Sequence, residues 1–180
     1  GGTTQNTSGL VTLQSGVVLG GTLLSSAQTF AGESGLVSAV LSGGVGLTKS
    51  TDGLLELTAS NLYSGLTLVN AGTLRLSGGD DRLLNTGSIT VAGGTLDLGG
   101  TTQNTSGLVT LQSGVVLGGT LLSSVQTFAG QSGLVSAVLA GGVGLTKSTD
   151  GLLELTAANL YTGLTLSLIH ISEPTRLLSI

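Results

Sequence analysis

The string GTTQNTSGLVTLQSGVVLGGTLLSS that begins at Gly2 begins again at Gly100, an offset of 98 residues. A chain that repeats at a fixed period stacks like units on one another instead of closing a single globular core, so the repeat limits the admissible folds before any residue is read singly. Residues 1–68 align on 99–166 with 63 of 68 positions identical. The five differences are Ala27 against Val125, Glu33 against Gln131, Ser42 against Ala140, Ser60 against Ala158 and Ser64 against Thr162. All exchange small or polar groups, which predicts that most lie outside the tightest packing.

Within the unit, short runs alternate with period two: Leu55-Glu56-Leu57, Thr73-Leu74-Arg75-Leu76, Ser88-Ile89-Thr90-Val91 and Thr95-Leu96-Asp97-Leu98. Each reads as a strand with Leu, Ile or Val on one side. Asn70-Ala71-Gly72, Ser77-Gly78-Gly79-Asp80, Asn85-Thr86-Gly87 and Ala92-Gly93-Gly94 separate them, and their Gly and Asn residues suit turns. No window carries a helical period with caps. Short alternating strands fit either an antiparallel sandwich or barrel, or a parallel β-helix. The spacing of turns favours the second, because the unit divides into about five coils of roughly 20 residues, a usual solenoid period. The expected fold is therefore all-β, a right-handed single-stranded parallel β-helix open at both ends. Stacking at about 4.8 Å per coil would raise one unit about 24 Å and residues 1–166 about 40 Å.

Composition supports an exported, stacked β chain. Glycine supplies 32 of 180 residues and charged residues only 8%, far below the roughly one quarter of an ordinary soluble domain. Such a surface must be solvated by hydroxyl, amide and backbone groups. Five Lys and Arg against nine Asp and Glu give a net charge of −4, which argues against nucleic acid, since phosphate binding needs clustered cations. Absence of Cys excludes disulfides and thiolate metal sites and fits passage through an oxidising compartment. Apolar stretches such as Leu36–Leu41 are broken by Gly, Ser and Thr well before the ~18 residues of a membrane-spanning helix. The chain opens with Gly1-Gly2 and no Met, so its native amino terminus is expected to lie elsewhere. A regular Leu and Val alternation weighs against a disordered low-complexity chain.

Residues 47–76 read LTKSTDGLLELTASNLYSGLTLVNAGTLRL. This resembles the autotransporter-associated β-strand repeat, whose pattern runs approximately L-x-K-x-G-x-G-x-L-x-L-x-x-x-N-x-Y-x-G-x-T-x-V-x-x-G-x-L. Lys49, Gly53, Leu55, Leu57, Asn61, Tyr63, Gly65, Thr67, Val69, Gly72 and Leu74 follow it in order, with Thr51 where a glycine is common, and Lys147–Thr165 begin a second copy. The resemblance implies a β-helical passenger or other large surface protein of bacteria, cell-surface, outer-membrane-associated or secreted. Its repeats would act as a structural or adhesive stalk, with host or matrix glycans and proteins as partners of the parent protein. No catalytic residue, metal or cofactor is carried over with the resemblance. A carbohydrate-binding or carbohydrate-cleaving β-helix is the alternative.

After Leu166 the repeat calls for Val-Asn-Ala-Gly-Thr, but the chain reads SLIHISEPTRLLSI. This segment resembles the translation of a sequencing-library adapter, so 1–166 is expected to be solenoid and 167–180 a non-native tail; a divergent cap is the other reading. Asp80, Asp81 and Arg82 form the densest charge cluster, but they lack the repeated spacing of a Ca²⁺ turn and read as a solvated turn. Glu56 and Asp97 are expected on outward strand positions, with nothing in the sequence to bring them together as a catalytic pair. Phe30, Tyr63, Phe128 and Tyr161 read as corner packing, and Asn61, Asn70, Asn85 and Asn159 as candidates for stacked amide ladders at turns. Open strand edges predict poor solubility.

Overall fold

The computed structural model describes residues 2–168, which places most of the expected tail, and with it the adapter reading, outside the described residues. Among the described residues there is no helix, and all strand pairings are parallel. Period-two runs of three to five residues cannot pair locally across glycine turns in parallel. Each instead hydrogen-bonds to the run one coil earlier and one coil later.

The coil has three faces. The first face stacks Thr4–Thr7, Thr22–Ser25, Val40–Gly43 and Leu62–Tyr63, then continues through residues 101–105, 120–122, Val138–Gly141 and Leu160–Tyr161. The second stacks nine runs, from Thr12–Leu13 to Thr165–Ser167. The third stacks eight, from Val17–Val18 to Leu153–Leu155. Midway along the rod, Ile89–Thr105 and Val109–Ser123 each run round the corners as one strand, with register shifts where they bend.

Successive partners on the second face are Thr12, Ala31, Thr48, Leu68, Thr90 and Thr110. The coils of one unit are therefore 19, 17, 20, 22 and 20 residues long, and the 98-residue period closes on five whole coils. The second copy repeats the register of the first: Ala129 pairs Thr146 as Ala31 pairs Thr48, and Leu134 pairs Glu154 as Leu36 pairs Glu56.

Inward side chains form columns along the rod axis. On the second face Phe30, Leu47, Thr67, Ile89 and Val109 stack in one column, and on the third Leu55, Leu74, Leu96 and Val116 in another. Leu47, Leu55, Leu57, Leu74, Leu76, Leu96 and Leu98 are fully buried. Each such Leu contributes about 2 kcal/mol of transfer free energy. The five positions at which the two copies differ all lie outside this core, Ala140 alone being covered, on an outward position of the first face.

Between the second and third faces the coils approach so closely that side chains are excluded. A Cβ at Gly72 would strike the Thr51 and Gly53 carbonyl oxygens and Lys49 Nζ, and its φ of 62° already lies in the left-handed region. Gly94 meets the Gly72 oxygen and Gly114 the Gly94 oxygen in the same way. Gly72→Val should therefore destabilise the protein by about 2–4 kcal/mol, whereas Ser60→Ala, which copies the residue at 158, should stay within about 0.5 kcal/mol. Urea titrations followed by far-UV circular dichroism measure both.

Candidate functional site

The repeat-motif residues of 49–74 lie along one and a half adjoining coils. Leu55, Leu57 and Leu74 fill the third-face core. Lys49 occupies an inward position of the second face, between Gly32 and Val69, and is fully buried. Its column needs a small residue on one side and a corner with free carbonyls on the other, and Gly32 and Gly72 supply them. The ammonium donates to the carbonyl oxygen of Thr51 and, at 3.3 Å, to that of Ala71, tying together the corner turns of two coils. Gly53 lies in the first of these turns with φ 97°. Burial pushes the Lys49 ammonium below its ordinary value of 10.5, an effect opposed by the negative charges of Asp52 and Glu33. In the second copy Lys147 likewise donates to the carbonyl of Thr149.

Asn61 serves the opposite corner. Its Oδ1 accepts from the Leu41 N–H at 2.9 Å, and its Nδ2 donates to the Ala59 and Arg82 carbonyls at 3.0 and 2.9 Å. Asn61 therefore bridges the backbones of three coils instead of stacking on another amide, which corrects the ladder expected of it. Asn159 repeats the bond, accepting from Leu139 N–H at 2.8 Å. Gln103 does the same work one coil above residue 83, accepting from Leu83 N–H at 2.9 Å and donating to its carbonyl at 3.0 Å. Sequence reasoning missed Gln103, because Thr102-Gln103-Asn104 offers no apolar alternation to mark the middle residue as inward.

Tyr63 packs edge-on against Phe30 with ring centroids 6.2 Å apart and shares a 2.8 Å hydrogen bond with Thr67 Oγ1. Complete burial pushes its phenol well above the ordinary value. Phe128, Tyr161 and Thr165 repeat the arrangement, at 6.3 Å between rings and 2.7 Å between hydroxyls. Gly65 permits the crossing, since a Cβ there would lie 2.5 Å from the Val45 carbonyl carbon.

The charged residues take the outward positions expected of them, and in two places they make contacts that the sequence did not show. Glu56, Arg75 and Asp97 share one outward column on consecutive coils of the third face. Arg75 Nε lies 3.3 Å from Asp97 Oδ2, and Ser77 Oγ donates to Glu56 Oε1 at 2.5 Å. Glu56 and Asp97 thus stand two coil spacings apart in one column, about 10 Å between backbone positions, with Arg75 in the interval where a paired-carboxylate hydrolase would place water. Asp80 and Asp81 lie exposed outside any strand, as expected of a solvated turn, and with Arg82 they also form a clamp that the sequence did not show. Asp80 Oδ1 accepts from Thr102 N–H at 2.7 Å and Asp81 Oδ1 from Asn104 N–H at 2.8 Å. The Asn104 amide also reaches both oxygens of Asp81. Arg82 reaches the Thr58 carbonyl at 2.8 Å. Beside the clamp, Ser60, Leu62, Leu84 and Asn85 line an open depression of about 240 Å³ on the first face. Among the described residues no three His, Cys, Asp or Glu side chains converge as metal ligands, and no helix is long and apolar enough to cross a membrane.

Over 102 residues the chain is 34% identical to the adhesin BmaC autotransporter of Brucella suis biovar 1 (strain 1330). The match takes in 56% of this chain and 3% of that protein's length. No family model and no solved structure matches the chain. The similarity is thus to a small part of a very long adhesin, as a stack of like coils would give.

Three substitutions test the site. Asn61→Ala leaves the buried Leu41 N–H without its acceptor and should cost about 1–3 kcal/mol, read from the urea midpoint. Lys49 and Tyr63 give opposite pH dependences. A lysine whose folded pKa is lowered binds fewer protons folded than unfolded, so its burden on stability is relieved as pH rises towards 10.5. A tyrosine whose folded pKa is raised keeps its proton when the unfolded chain releases it, so stability falls above pH 10. Melting curves from pH 7 to 11 should show the rise flattened in Lys49→Met and the fall flattened in Tyr63→Phe.

Proposed function

We propose that this chain is a stalk segment of an exported bacterial surface protein, carrying the parent protein's adhesive parts away from the cell and performing no catalysis itself. The observation that carries this reading is the investment of the motif residues in coil-to-coil cohesion. Lys49, Asn61, Tyr63, Thr67 and Gly72 all turn inward or into corners, where Lys49 and Asn61 join neighbouring coils, Gly72 lets them approach, and Tyr63 and Thr67 tie two faces of one coil. A column of such coils is a spacer whose length follows coil number. Similarity to an autotransporter adhesin supports a cell-surface or extracellular location and host or matrix glycans and proteins as partners of the whole protein. On this reading residues 1–166 are native solenoid sequence, 167–180 are foreign in origin although Ser167 still pairs with Lys147, and Lys49, Gly53, Leu55, Leu57, Asn61, Tyr63, Gly65, Thr67, Gly72 and Leu74 are structural positions.

The alternative, a carbohydrate-binding or carbohydrate-cleaving β-helix, draws its only support from the depression beside Ser60 and Asn85 and from the Glu56–Arg75–Asp97 column. Glycan arrays combined with a reducing-end assay on the bound glycans separate the readings. The stalk reading expects no turnover, and binding, if present, unaffected by Glu56→Gln or Asp97→Asn. Glycan cleavage abolished by either substitution would overturn it.

A further inference from the structure

We infer that the 98-residue unit is a length-setting module with its own joint, and that whole units can be added in register, each lengthening the rod by one fixed step. The argument rests on the surface where the first unit meets the second. There Ile89 lies under Val109, Val91 under Leu111 and Leu96 under Val116, all inward and buried. Next to these apolar columns, the segment Asp80–Leu83 grips the second unit's Thr102, Gln103 and Asn104. Asp80 and Asp81 hold two backbone N–H groups, and the Gln103 amide holds both backbone polar groups of Leu83. The grip takes over part of an ordinary ladder, of which the bonds from Asp81 N–H to the Thr102 carbonyl and from Ser106 N–H to the Asn85 carbonyl remain. No strand forms over residues 77–88, and two carboxylates take the acceptor places that strand carbonyls would fill.

Every receiving residue has its identical counterpart 98 positions earlier. Val11, Leu13 and Val18 stand for Val109, Leu111 and Val116, and Thr4, Gln5 and Asn6 for Thr102, Gln103 and Asn104. The surface that receives a unit is therefore present at the start of both copies, and the surface that seats on it is present at the end of the first. A contact between unlike, complementary ends propagates without limit. Because the unit closes on five whole coils, each addition restores the three faces in phase and lengthens the rod by about 24 Å. The five residues that differ between copies take no part in the joint.

This inference goes beyond the stalk reading and does not depend on adhesion, because its readouts are length and cooperativity. The test duplicates residues 20–117 within the full chain, so that Leu117 is followed by Gly20, the same Leu-Gly junction as at 19–20. A second variant duplicates residues 20–107, ten residues short of a unit and half a coil out of phase. Small-angle scattering should show the first variant longer than the parent by about 24 Å, with unchanged ellipticity per residue and one transition at or above the parent's melting temperature. The second should melt lower or in two steps. A whole-unit variant that fails to lengthen by this step or loses its single transition overturns the inference, as does an out-of-phase variant equal to it in both respects. Asp81→Gly tests the joint directly, since glycine keeps the positive φ of 55° open while removing the carboxylate. It should uncouple the two units into separate transitions, and a single transition at an unchanged temperature would remove the joint from the inference.

Discussion

The close stacking of parallel coils governs this molecule. Once each run of three to five residues is hydrogen-bonded to the runs one coil above and below, about 4.8 Å away, every position has two neighbours of fixed identity and almost no slack. Inward positions must be apolar and mutually compatible in size, which the columns through Phe30, Leu47 and Ile89 and through Leu55, Leu74 and Leu96 satisfy. Corner positions must leave room for the next coil's carbonyls, which is why Gly72, Gly94 and Gly114 follow one another there.

Polar groups that enter this interior have their hydrogen bonds met, either by a neighbouring coil or within their own. Lys49 is the most demanding case, since a buried ammonium is costly unless its donors are met, and it is met by carbonyls of two different corner turns. Asn61 and Gln103 satisfy backbone N–H groups of the adjoining coil that their own irregular surroundings would otherwise leave without acceptors. Tyr63 and Thr67 satisfy each other inside an otherwise apolar corner. The same chemistry recurs at Tyr161 and Thr165. A solenoid built this way distributes its cohesion over nearest neighbours, and its outer surface is free to vary, as the five differences between the copies do.

Much of the architecture was legible in the sequence because its signals are periodic. Period two placed Leu55, Leu57, Leu74 and Leu76 inward, and the 98-residue repeat anticipated five coils, which the register shows as 19, 17, 20, 22 and 20 residues. The site was less legible. Asp80 and Asp81 lie in the exposed turn expected of them, but their partners were not legible, since Thr102 and Asn104 lie more than 20 residues away and carry no charge. Asn61 suggested an amide ladder because Asn recurs at turns, but its bonds go to backbone atoms. Gln103 gave no signal, because inward polar residues break the alternation that would reveal them.

By itself the sequence determined that the chain is built of short strands, with an apolar residue at every second position and glycine at the turns, and the spacing of those turns in a unit that returns nearly unchanged favoured a parallel stack over an antiparallel sandwich or barrel. Tertiary structure alone decided which residues meet across coils. Stacking converts separations of about twenty residues into direct contact, and coils of 17 to 22 residues have no single period from which a reader could align them. Glu56, Arg75 and Asp97 fall into one column, and Asp81 closes on Asn104, only because the intervening turns take up those differences in length.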